Sequence, residues 1–105
     1  MKKIIDGLLY DTEADNVEPI ASAESTHQRG DFAWWDEWLY RTENGRFFLH
    51  GEGGPRSKYA KAFAGGASGS EDIRALSEDE AYDWMERHAS AHRTVAVFPD
   101  RVQEA

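Results

Sequence analysis

"DFAWWDEWLYRTENGRFFLHG", residues 31–51, decides how the chain is read. Asn44-Gly45 stands between two aromatic, alternating runs, and Asn-Gly is a strong short hairpin signal because both residues tolerate the positive φ values of a tight turn. The pattern predicts a hairpin over 32–51. A two-residue turn sets Thr42 opposite Phe47, Tyr40 opposite Leu49 and Trp38 opposite Gly51. Alternation along each strand then puts Trp34, Trp38, Tyr40, Phe47 and Leu49 on one face. Trp35, Glu37, Leu39, Arg41, Phe48 and His50 share the other. By composition the first is the core face. The second is amphipathic, suited to partial cover by a helix or to contact with a partner.

Upstream, "KKIIDGLLYDT" predicts a shorter hairpin over 2–11, its turn at Asp6-Gly7 setting Ile5 opposite Leu8 and Ile4 opposite Leu9. "PIASAES" is a weak strand opened by Pro19, and "STHQRGD" reads as a loop. Downstream, residues 51–70 form a glycine-rich loop whose "GGASGS" end lacks any side chain large enough to build a core and reads as a mobile linker. "IRAL" is one more strand candidate. A helix over 78–89 follows, with Ser77 and Glu80 as a capping box and Leu76 able to staple to Ala81. Ala81, Trp84, Met85 and His88 make its apolar stripe. Residues 91–98 carry strand propensity on a helical spacing and favour a short second helix ending before Pro99. The expectation is one α+β domain over 1–105: an antiparallel sheet of four to five strands built from hairpins, with one or two C-terminal helices packed on it.

Composition bounds the function. The 105 residues hold 20 acids against 12 bases, a formal charge of −8, and no cysteine. Disulfides, thiolate metal sites and cysteine nucleophiles are therefore excluded. A surface of that sign repels nucleic-acid backbones and anionic membranes and suits a basic partner. No apolar run approaches a membrane span, and Asp6 interrupts the first apolar residues before they make a signal peptide, which favours a cytoplasmic protein.

The catalytic patterns are thin. His88 and His92 are spaced to offer two metal ligands from one helix face, but Ala89 follows His88, so no HExxH motif is present. Ser57 or Ser68 with His50 lacks the nucleophile-elbow context. The glycines of 51–58, with Arg56, Ser57 and Lys58, lack P-loop spacing. The expectation is a protein that is not an enzyme and carries no cofactor or metal. The second reading is a small-molecule or anion-binding protein using loop 51–58.

"KKIIDGLLYDTEA", "LYRTENGRFFLHGEGGPRSKYA" and "ALSEDEAYDWMERH" together resemble a family of small acidic bacterial and mobile-element proteins, over about two-thirds of the chain. The resemblance implies a context, not an activity: such proteins include inhibitors of host defence, anti-CRISPR proteins among them. The residues assigned to partner binding are Asp11, Glu13, Asp15 and Glu18 after the first hairpin, Glu71 and Asp72 before the helix, and Asp79, Asp83 and Glu86 along it. Trp35, beside Asp36 and Glu37, is an aromatic anchor candidate. The expected partner is a basic protein surface, such as the nucleic-acid-binding groove of a CRISPR effector.

Overall fold

The computed structural model describes residues 1–28 and 30–105, so one residue of the "STHQRGD" loop, Arg29, lies outside the described residues. Five strands come first: β1 (Lys2–Ile5), β2 (Leu8–Asp11), β3 (Glu18–Glu24), β4 (Trp35–Arg41) and β5 (Phe47–Gly53). Then follow β6 (Lys61–Phe63), β7 (Gly66–Ser68), β8 (Ser70–Leu76), α1 (Glu78–His88) and α2 (Ala91–Val97). The main sheet is antiparallel in the order β3-β4-β5-β8, while β1-β2 and β6-β7 are separate two-stranded hairpins. The architecture is α+β, as the alternation and the capped helix predict.

The first hairpin forms as expected. Asp6 (φ 51°) and Gly7 (φ 79°) make its turn, and Ile5 pairs with Leu8, Ile4 with Leu9. The second hairpin forms with a different register. Arg41 pairs with Phe47, Tyr40 with Phe48, Leu39 with Leu49 and Trp38 with His50. The turn is one residue longer than a two-residue loop: the Gly45 N–H donates to the Thr42 carbonyl (2.9 Å) and the Thr42 N–H to the Arg46 carbonyl (2.8 Å). Gly45 alone takes the left-handed conformation, at φ 80°. This is the three-residue loop in which a left-handed glycine follows a turn.

A one-residue slip exchanges the faces of β5 relative to β4. Tyr40 therefore shares a face with Phe48, and Leu39 with Leu49. The expectation of one core face and one amphipathic face is corrected accordingly: both faces are covered. On one, Ile20, Leu39, Phe47, Leu49 and Leu76 pack against Ala81, Trp84 and Met85 of α1 and against Phe98. On the other, Tyr10 of the N-terminal hairpin closes over Tyr40, Phe48 and Ile73. Tyr40 and Phe48 stack at 4.8 Å, and Tyr10 meets Phe48 edge-on at 5.4 Å. The register that forms is the one that buries apolar side chains on both sides.

The linker reading of "GGASGS" is also corrected. Small residues cannot fill a core, but strand pairing uses the backbone: Lys61 pairs with Ser68 and Phe63 with Gly66, and Ser70 then opens β8 opposite Gly53. At the C-terminal end, Ser77 accepts from the Glu80 N–H (3.1 Å) and Glu80 accepts from the Ser77 N–H (3.0 Å), the expected capping box. α1 stops at His88 because Ala89 is extended (φ −88°, ψ 164°), and Ser90 caps α2. His88 and His92 thus belong to different helices, and no group of three His, Cys, Asp or Glu among the described residues is arranged to hold a metal. β3 bulges between Pro19 and Ala21, and the Arg93 Nε of α2 donates to the Ile20 carbonyl there (2.6 Å). No helix among the described residues is long and apolar enough to cross a membrane.

Candidate functional site: an acidic row and a cleft on the opposite face

The strand registers assemble a row of carboxylates that no local stretch of sequence contains. Glu24 lies opposite Asp36, Asp36 opposite Glu52, and Glu52 opposite Glu71, one residue from each of the four strands of the sheet. Alternation puts all four on the face of Trp38, His50 and Ile73, beyond the end of the aromatic cluster. Glu24 and Glu71 are exposed, Asp36 and Glu52 half-buried. Neighbouring strands stand about 4.8 Å apart, so the row is about 14 Å long. Like charges directly opposite each other repel. His50, stacked on Trp38, lies at one end with its Nε2 3.1 Å from Glu71.

The opposite face holds a buried carboxylate. Glu37 follows Trp35 and precedes Leu39 on the helix side of β4, and only 2 % of it is exposed. The Trp84 indole N–H of α1 donates to one carboxylate oxygen (3.0 Å). The other accepts from the Tyr59 hydroxyl and lies 3.0 Å from the Lys58 ammonium. Burial opposes the charge, but the hydrogen bonds from Tyr59, Trp84 and Lys58 outweigh it and hold the carboxyl below its ordinary value. Burial, and then the bond to Glu37, push the Tyr59 phenol up. Lys58 also stands 4.0 Å over the Trp35 ring, and Trp35 and Trp84 both meet the His88 imidazole. Burial lowers the His88 pKa, with the Arg87 and Lys58 charges adding to it against the pull of Glu37.

The glycines of "GEGG" explain how that loop reaches Glu37. A methyl group on Gly51 would fall 1.8 Å from the Tyr59 hydroxyl oxygen, and one on Gly53 would fall 2.2 Å from the Ser57 Oγ. The glycines let the "SKY" segment lie directly on the sheet. Ser57 then turns the chain, donating to the Gly54 carbonyl (2.8 Å) and accepting from the Tyr59 N–H (3.1 Å). The loop is a packed strap that carries Lys58 and Tyr59 to a buried partner.

The residues assigned to partner binding do not share one surface. Asp11 accepts from the Glu13 N–H (2.9 Å), and Asp11, Glu13 and Asp15 belong to the end of the N-terminal hairpin and the turn after it. Glu18 lies opposite Arg41, at the far end of the sheet from Glu71. Asp72 is paired with Lys3 (2.6 Å). Asp79 is paired with Arg101 (2.7 Å), and Asp79, Asp83 and Glu86 form an exposed stripe on α1. Trp35 is half-buried under Lys58, which covers one face of its ring. Of the ten, Glu71 alone belongs to the row. Glu24, Asp36 and Glu52 were missed because register is needed to align them. Glu37 carried a weaker signal, an acid alternating with Trp35 and Leu39 on the face read as amphipathic. Compared with known proteins, the chain matches no family model, no curated protein and no solved structure.

Proposed function

We propose that this protein is a non-catalytic inhibitor or adaptor that docks its acidic sheet face onto a basic, nucleic-acid-binding surface of another protein. The observation that carries the reading is the row Glu24–Asp36–Glu52–Glu71. Over its length of about 14 Å, one strand of a duplex carries about four phosphates. The carboxylates of the row are thus spaced on the scale of the phosphates that a basic groove takes, with Glu24 and Glu71 the exposed ones. The net charge of −8 adds long-range attraction to such a groove and repulsion from nucleic acid itself. The resemblance to small mobile-element proteins makes a CRISPR effector the first target to try.

The test is a fluorescence-anisotropy competition in which the protein displaces a labelled duplex from a purified CRISPR effector at stepped salt concentrations. Displacement should weaken steeply with salt. Reversing the exposed ends of the row, Glu24→Lys with Glu71→Lys, should weaken it at least tenfold. Reversing Asp79, Asp83 and Glu86 to lysine on α1 should have a smaller effect. Displacement untouched by reversal of the row, or no displacement at any salt, overturns the reading.

A further inference from the structure

On the face away from the acidic row, a cleft of about 410 Å³ opens between β5, β8, the Lys58–Tyr59 strap and α1. Its volume falls in the lower range of small-molecule sites. Glu37, Tyr59 and Trp84 line it, and all three are committed to one another. Asp72, also on its wall, is held by Lys3. The cations around it are differently placed. Lys58 is engaged with Glu37, but Arg74 of β8 makes no ion pair among the described residues. Arg87 of α1 uses its Nε on the Asp83 carbonyl (3.3 Å), which leaves both terminal nitrogens without an ion pair there. His88 completes the lining.

Two arginines that line one cleft without an ion pair among the described residues stand out in a chain with eight more acids than bases. An anion is the ligand that such a pair recognises, because guanidinium groups match phosphate and carboxylate oxygens in a bidentate geometry. A volume of about 410 Å³ has room for one compact anion, and the surrounding charge of −8 disfavours a polyanion.

We propose that this cleft is a binding site for a small phosphorylated metabolite, its phosphate held between Arg74 and Arg87 with Lys58 and His88 at the edge. Glu37 has a positioning role: its bonds to Tyr59 and Trp84 fix the strap to α1, and so set the width of the cleft. None of these residues belongs to the acidic row, although Arg87 and His88 also border a second pocket with Glu24 and Asp36 at its end.

The experiment is an NMR titration of the uniformly ¹⁵N-labelled protein with inorganic phosphate, run beside sodium chloride at matched ionic strength. Phosphate should produce saturable shifts at the Arg74 and Arg87 side-chain Nε–H signals and at the Lys58 and Tyr59 amides. Chloride should not. Arg74→Gln with Arg87→Gln should weaken phosphate binding at least tenfold. Both arginines are exposed, so the double variant should keep the wild-type circular dichroism spectrum and melting temperature. Shifts that match the chloride control, or that persist in the folded double variant, overturn the site.

Discussion

Glu37 is where a single residue carries most. Tyr59 and Trp84 are 22 and 47 residues away from it in the chain, and both donate to its carboxylate, so three segments meet at one group. Glu37→Ala leaves a phenol and an indole donor without an acceptor and should cost about 3 kcal/mol in urea unfolding. Glu37→Gln keeps an acceptor and should cost less. The pH dependence has a definite sign. A carboxyl whose folded pKa is lowered contributes stability that is present above its unfolded value and is lost as pH falls through the folded one. His88, lowered by burial, acts in the same direction, and so do Asp72 and Glu80. The quantity to measure is therefore the difference: the acid-side loss of stability should be smaller in Glu37→Gln than in the parent protein. Equal acid profiles would refute the assignment. Gly51→Ala should displace Tyr59 from Glu37 and destabilise by about 2 kcal/mol, whereas Gly30→Ala, with open space at that position, should fall within about 0.5 kcal/mol of wild type.

The elements differ in how much of their stability is local. α1 carries its own start signal in the Ser77–Glu80 capping box, reinforced by Glu78, Asp79 and Glu80 against the positive end of the helix dipole. Ser77→Ala should cost about 1 kcal/mol, measured by thermal unfolding followed at 222 nm. The first hairpin is likewise specified by the two residues of its turn. The second is not. Its Asn-Gly pair marks where the chain reverses but leaves open whether two or three residues make the loop. That choice decides which aromatic side chains meet across β4 and β5. The row of acids rests on the same registers, since a slip in any strand pair would break it.

At the scale of the whole molecule, the sheet is the middle layer of three. Helices cover the Leu39–Leu49 side, and the N-terminal hairpin covers Tyr40, Phe48 and Ile73. The two buried clusters share the β-strands between them, so they should melt together. Tyr10→Ala uncovers Phe48 and should cost about 3 kcal/mol while leaving one transition, with fluorescence and circular dichroism curves that coincide. Separate transitions would show that the hairpin is an appendage. This layering puts the acidic row on the hairpin side and the arginine-lined cleft on the helix side, with Arg87 and His88 bordering both.

By itself the sequence determined the fold class, the first hairpin in its correct register, the first helix with its capping box, and the excess of acid. Each of these rests on neighbours within a few residues, where turn geometry, capping and periodicity act directly. The tertiary structure alone decided the register of the second hairpin, the strand pairing of the "GGASGS" segment, the alignment of Glu24, Asp36, Glu52 and Glu71, and the burial of Glu37. The physical reason is the same for all four. Backbone pairing and two-sided burial select among local alternatives of similar energy, and they join residues that no short stretch of chain brings together.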